Sequence, residues 1–362
     1  MRVHQMTMGL MYGDAITHQI QAIDQRLRAW GLETHIFRLH HDAWAQDLGQ
    51  PDSEYAHYLN NSDDLLIYHY SINSPNLELF ERSRNRKLVI YHNITPPEFF
   101  QGYDAVMEAD CRRGREALSR LAGCDFAVGD SDYNRRELIA AGVPAAQTDV
   151  LPILVDTDKF GATKLDQALY ERIRGNGKVN LLFVARLIPS KAFEDLIKLV
   201  AAYREGIGEN VHLWLIGRAT TPLYQDRLVA LVERLGLDRF VTFTDLVSLT
   251  DLCTYYAAAD VYVSASRHEG FAVPLLESMK FGLPILAYNG TAHPDTLGGA
   301  GVLFNYLDYP ILAETVHALA TDQPLRQSII ARQRERLAEF STKCFEARLR
   351  QILTRVGVEL PS

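Results

Sequence analysis

The chain has 362 residues, 47% apolar and 23% charged, with a formal net charge of −8. That length suggests about two domains, and the negative balance argues against a general nucleic-acid binder. Four scattered cysteines, Cys111, Cys124, Cys253 and Cys344, form no C-x-x-C, which disfavours a disulfide scaffold or a cysteine zinc site and fits a reducing compartment.

The opening M-R-V-H-Q-M-T-M-G has no signal-peptide core, and no apolar run approaches a membrane span. The expectation is a cytoplasmic protein that can rest peripherally on the inner face of a membrane. Strand and helix signals then alternate. Residues 2–6 read as a short strand, 9–13 as a glycine-bearing loop, and 14–30 as a helix with Ile16, Ile20, Ile23 and Leu27 at helical spacing. Asp14 is its candidate N-cap and Gly31 its stop. Strands follow near 35–39, 65–68, 87–92 and 126–129, a helix at 133–141, and a strand at 149–154. The pattern weakens over 161–178 and restarts with strands at 179–185, 211–216, 240–243, 261–264 and 285–288. A helix at 341–356 comes last. Such alternation means parallel, doubly wound α/β sheets. The economical division is a first domain at 1–160, a linker at 161–175 and a second domain at 176–340, with 341–362 packing back on the first.

The stretch 260–289 carries the clearest chemistry. It reads D-V-Y-V-S-A-S-R-H-E-G-F-A-V-P-L-L-E-S-M-K-F-G-L-P-I-L-A-Y-N, a strand, a charged loop, a helix started by Pro274 and stopped by Gly282, and another strand. Glu269 and Glu277 bracket the turn. Gly270 permits close backbone approach, and the N–H groups of Phe271, Ala272 and Val273 point out of a helix start, where an anion is favoured. A diphosphate there, with a carboxylate for the hydroxyls on either side, describes a nucleotide sugar. Arg186 and Lys191, in A-R-L-I-P-S-K after the strand L-L-F-V-A, are two cations that could neutralise a diphosphate without any metal. An ordinary βα loop with surface glutamates and a solvated basic turn is the bland alternative.

Together these residues resemble the donor-site signature of retaining family-4 glycosyltransferases with the GT-B fold. The resemblance implies two Rossmann-like doubly wound domains facing a central cleft, and transfer of a hexose from a nucleoside diphosphate sugar to a glycan or lipid-linked acceptor, with GDP-mannose the first donor choice. It implies that Glu277 holds the ribose and that Glu269 holds the transferred sugar. It puts Gly13, Gly217 and Arg218 near the donor, and Leu246 and Val247 near the base. His92, after the strand K-L-V-I-Y, would stand near the reacting sugar, with His69 in L-I-Y-H-Y as the competing candidate. The family's glycine after the lysine is Ala192 here, its paired glycines near Gly13 are G-x-x-x-G, and its P-E is Pro294-Asp295. No metal or separate cofactor is expected. The triplets Asp130-Ser131-Asp132 and Asp156-Thr157-Asp158 read as a helix cap and a linker turn rather than metal sites. Two basic runs, one with Arg82, Arg84, Arg86 and Lys87, the other with Arg112, Arg113 and Arg115, are either solvated helix faces or a contact for anionic headgroups. A nucleotide-sugar epimerase on the same fold remains an alternative. A nicotinamide oxidoreductase lacks its G-x-G-x-x-G.

Overall fold

A computed structural model describes residues 1–360. Two compact units emerge: residues 1–98, 105–154 and 340–362, and residues 99–104 and 155–339. The last two residues of the expected 341–362 segment lie outside the described residues.

Unit 1 runs β1 (Arg2–Leu10), α1 (Ala15–Ala29), β2 (Glu33–His41), β3 (Gln50–Pro51), β4 (Leu65–Tyr70), α2 (Leu77–Arg82), β5 (Arg86–Tyr91), α3 (Ala105–Glu116), β6 (Phe126–Gly129), α4 (Asp132–Ala140) and β7 (Thr148–Val150). Its seven strands are all parallel, in the order β3-β2-β1-β4-β5-β6-β7. The chain therefore works outward from β1 and then returns to its other side, which makes the β1/β4 boundary the switch point. Strand β4 is buried along its whole length, as expected for a sheet covered on both faces. Asp14 caps α1 by accepting the Thr17 N–H at 3.0 Å, and Gly31, at φ +80°, turns the chain out of the helix.

The helix Thr342–Arg355 belongs to this unit. Ser341 caps it, and Phe345, Leu349, Ile352 and Leu353 recur at helical spacing in one cluster with Val3, Ile23, Leu27, Leu65, Ile67, Leu88, Ile90 and Val128. Leu349 is fully buried, so Leu349→Ala would cost roughly 2–5 kcal/mol.

Unit 2 runs α5 (Thr157–Ala162), α6 (Gln167–Arg174), β8 (Val179–Val184), α7 (Phe193–Gly206), β9 (Val211–Ile216), α8 (Pro222–Arg234), β10 (Val241–Thr244), α9 (Leu249–Ala258), β11 (Val261–Ser264), α10 (Val273–Lys280), β12 (Ile285–Tyr288), α11 (His293–Leu297), β13 (Val302–Phe304), α12 (Tyr309–Thr321) and α13 (Gln323–Ala338). Its six parallel strands have the order β10-β9-β8-β11-β12-β13. The switch point is the β8/β11 boundary.

The structure corrects the reading of residues 161–175 as a linker of weak pattern. Most of that stretch is helical: α5 is capped by Asp156 and α6 by Asp166, and Leu169 and Ile173 of α6 are buried. The strand expected at 149–154 pairs only over Thr148–Val150. β3 and β13, two and three residues long, carry too little sequence to announce themselves.

Candidate functional site

The loops that follow β8 and β11 flank the switch point of unit 2, where ligands bind in open α/β sheets. The loop after β8 carries Arg186, which is exposed, and Lys191. It is tied to the loop after β9, because the Leu187 N–H donates to Arg218 O at 2.9 Å. Ala192, at φ +50°, turns the chain into α7.

Lys191 does not point into solvent. Its Nζ lies 2.7 Å from Glu269 Oε1, and it donates to His268 O at 3.0 Å. Burial pulls the Lys191 ammonium below its ordinary range, with Glu269 opposing. Burial alone would push Glu269 up, but Lys191 and then His293 outweigh it and hold the carboxyl below its usual range. Glu269 is thus kept ionised, an acceptor for hydroxyl donors.

The turn that follows is strained. Ala272 sits at φ +67°, and no side chain caps α10. Pro274 lies in the first helical turn, where its missing N–H costs nothing. The Phe271 carbonyl accepts the Thr296 hydroxyl, and the Glu269 N–H donates to Thr291 Oγ1 at 2.9 Å. This uncapped helix start keeps the polarity that favours an anion. Five residues into α10, Glu277 is only 8% exposed. Its Oε2 accepts the Tyr256 hydroxyl at 2.6 Å, and burial raises the carboxyl to about 7 despite that bond.

The structure therefore gathers Lys191, Glu269, the 270–273 turn and Glu277 in unit 2, with Arg186 close enough to act on Lys191 electrostatically. Gly217 serves packing: its φ is +144°, and a Cβ would lie 2.0 Å from Ala185 O. The Arg218 side chain is 61% exposed and 3.8 Å from Asp245. Leu246 is 47% exposed, and Val247 lines a pocket with Arg172, Asp251 and Tyr255.

Tyr256 went unread in the sequence, while Thr291, His293 and Thr296 lie in the stretch 291–301, which resembles the family's closing loop and whose expected role is packing. Tyr256, Thr291 and Thr296 are each distant along the chain from the Glu277, Glu269 and Phe271 they bond, so the sequence carries no sign of those pairings. His293 is buried, with Nδ1 2.8 Å from Tyr288 O and Nε2 3.5 Å from Ser264 Oγ. Arg267 NH2 donates to Asp195 Oδ2 at 2.7 Å, bracing the same loop from α7.

In unit 1, Gly13 is exposed at φ +73° with nothing near its missing Cβ, so the backbone conformation alone requires glycine. His92 and His69, weighed against each other in the sequence, are bonded to one another. His69 Nδ1 lies 2.9 Å from His92 Nε2, His69 Nε2 lies 3.0 Å from Gln5 Oε1, and His92 Nδ1 lies 2.9 Å from Asp130 Oδ2. The His92 side chain is 1% exposed, and both of its ring nitrogens are engaged within unit 1. The D-x-D residues are engaged too. Asp130 bonds His92, Ser131 caps α4, Asp132 pairs with Arg135 and Arg136, and Asp156 caps α5.

Most of the basic runs is tied within unit 1. Arg112 pairs with Glu108, Arg113 with Asp110 and Arg115 with Glu137, while Arg86 donates to Val356 O and Gly357 O. Among the described residues no helix is long and apolar enough to cross a membrane.

Residues 171–336 match the family model of glycosyl transferases group 1. Over 232 residues the chain is 28% identical to a GDP-mannose-dependent alpha-(1-6)-phosphatidylinositol monomannoside mannosyltransferase of Mycobacterium tuberculosis, a match covering 61% of this chain and 59% of that one. It is 32% identical over 206 residues to O-antigen chain mannosyltransferase B of Escherichia coli, covering 55% of this chain and 48% of that one. The chain thus spans about half of each relative's length. Among solved structures, Anabaena Alr3699/HepE in complex with UDP-glucose superposes with a TM-score of 0.75 at 18% identity, over 98% of this chain and 99% of that one. WaaG, a glycosyltransferase involved in lipopolysaccharide biosynthesis, gives 0.71 at 15% identity, over 98% and 100%.

Proposed function

We propose that this chain, which has the GT-B fold and whose residues 171–336 belong to the glycosyl transferases group 1 family, is a retaining glycosyltransferase that moves a hexose from a nucleoside diphosphate sugar to a hydroxyl acceptor. One observation carries the reading. At the switch point of unit 2, two buried or near-buried carboxylates, Glu269 and Glu277, bracket an uncapped helix start that has Lys191 beside it. A diphosphate fits that start, with hydroxyl-bearing groups on both sides of it. The mannosyltransferases among the sequence relatives favour mannose, and GDP-mannose is the first donor to test.

On this reading the α10 amides, Lys191 and Arg186 bind the diphosphate and take up the charge that develops on it as the glycosidic bond breaks. Fixed cations and amides supply this without a metal ion. Glu269, held ionised, accepts hydroxyl hydrogen bonds from the transferred sugar and fixes its orientation. Glu277 accepts from the ribose. The departing phosphate oxygen, on the face that the acceptor attacks, takes the acceptor's proton, so the anomeric configuration is retained.

The test is a donor panel of GDP-mannose, UDP-glucose and UDP-galactose with mannoside acceptors, with NMR of the product anomer. The expected outcome is an α-linked product, formed also in EDTA. Release of free sugar or an epimerised nucleotide sugar with no dependence on acceptor, or an inverted product, would overturn the reading.

A further inference from the structure

Three large apolar side chains stand exposed together where β1 and β2 end: Met11 (48% exposed), Tyr12 (55%) and Trp44 (47%). The Tyr12 and Trp44 rings meet edge to face with centroids 5.5 Å apart. Grouped apolar exposure of this kind marks a face that binds something.

The face is held in place. The Tyr12 N–H donates to Asp42 Oδ2 at 2.7 Å, joining the loop after β1 to the loop after β2. Asp42 Oδ1 also accepts the Ala45 N–H at 3.0 Å. The Met11 N–H donates to Thr17 Oγ1 at 3.0 Å, and Gly13 makes the turn with its positive φ. The two loops carry Asp14, Asp42 and Asp47 together with His40 and His41, and neither residues 9–19 nor residues 39–50 contain Lys or Arg. Arg38 of β2 is buried, its guanidinium turned onto Gln46 O and Leu48 O, so it offers no exposed cation.

Those features select the ligand. Carboxylates repel a phosphate or an anionic lipid headgroup, but they accept hydrogen bonds from hydroxyls, as imidazoles do. Aromatic faces pack against the C–H face of a pyranose ring, and Tyr and Trp offer a polar tip as well as an apolar body. The place also fits, beside the β1/β4 switch point at the carboxyl ends of the strands. We propose that Tyr12 and Trp44 form the platform for a pyranose ring of a neutral saccharide. Given the transfer reading above, on which this step rests, that saccharide is the acceptor.

The test titrates the protein with α-(1→6)-mannobiose in the absence of nucleotide and follows tryptophan fluorescence. Trp44 is the exposed reporter, since Trp214 is 8% exposed and Trp30 packs under Arg350 at 4.1 Å. The expected result is a saturable change that vanishes in Trp44→Leu and needs at least fivefold more saccharide in Tyr12→Ala, with GDP affinity unchanged. In transfer assays the acceptor KM rises by the same factor in Tyr12→Ala. Equal saturation in wild type and Tyr12→Ala overturns the proposal. So does a Trp44 response to anionic vesicles but none to saccharide. If the titration behaves as expected while no donor supports transfer, the platform stands and the transfer reading falls.

Discussion

The Tyr256 hydroxyl donates to Glu277 Oε2 at 2.6 Å inside unit 2. A carboxyl held by one neutral donor and otherwise buried is easier to protonate than one in water, and Glu277 is raised to about 7, burial being the larger influence. The folded chain therefore holds this proton more tightly than the unfolded chain does. Stability from this group is full below about 4.5, the ordinary glutamate value, and is lost as pH rises through 7. At ~1.4 kcal/mol per unit, the loss is on the order of 3 kcal/mol. Glu277→Gln keeps the Tyr256 bond and cannot ionise, so its thermal stability should decline less than wild type between pH 5 and 7.5. Parallel curves for the two proteins would refute the assignment.

The same proton should be linked to nucleotide binding. Ribose hydroxyls donate best to an ionised carboxylate, so bound nucleotide draws Glu277 toward its charged form and a proton leaves near pH 6.5. Calorimetry with GDP in buffers of different ionisation enthalpy should detect that release in wild type and not in Glu277→Gln. Equal proton release in both would assign the proton to the ligand's own phosphate instead.

Lys191 and Glu269 form the second pair to separate. Their side chains are 13% and 16% exposed, so removing one leaves a poorly solvated charge. Lys191→Met should destabilise by roughly 3–5 kcal/mol and also lower kcat/KM. Glu269→Gln should keep GDP affinity and lower turnover, because it touches the part of the donor that moves. The double variant Lys191→Met/Glu269→Gln should regain stability over Lys191→Met without regaining activity. Denaturation and steady-state kinetics on the three variants decide this. A Glu269→Gln protein that loses GDP binding would reverse the roles.

How much of this was legible in the sequence follows from how local each signal is. The unit from Val261 to Tyr288 was readable because strand, glycine, proline and helix signals all lie within one short stretch. The helices at 157–174 were missed because α5 buries no residue and α6 buries only Leu169 and Ile173, too few for a visible period. Glu277 was found, but the Tyr256 that bonds it lies on the preceding helix, and nothing near either residue predicts the pairing. His69 and His92 looked like rivals because each ends its own strand. Only the pairing of β4 with β5 makes them partners.

That histidine pair supports a prediction of its own, because its hydrogen bonds have a direction. Gln5 Nε2 donates to Ile20 O at 3.1 Å, which turns Gln5 Oε1 toward His69. His69 Nε2 must then carry a proton. Burial holds His69 well below its ordinary range, hence neutral, so its Nδ1 accepts from His92 Nε2–H. One further proton must lie between His92 Nδ1 and Asp130 Oδ2, 2.9 Å apart, and burial raises Asp130 against the pull of His92. His92 and Asp130 together are thus neutral whichever atom holds that proton. Asp130→Asn can donate its amide to His92 Nδ1 and keep the chain intact, so it should cost less than ~1 kcal/mol. Asp130→Ala strands a buried ring nitrogen and should cost roughly 1–3 kcal/mol. In nitrogen-15 spectra, His69 should appear as the Nε2–H tautomer in wild type and in Asp130→Asn alike. A His69 signal from the Nδ1–H tautomer, or an Asp130→Asn protein as unstable as Asp130→Ala, would show that the chain runs the other way.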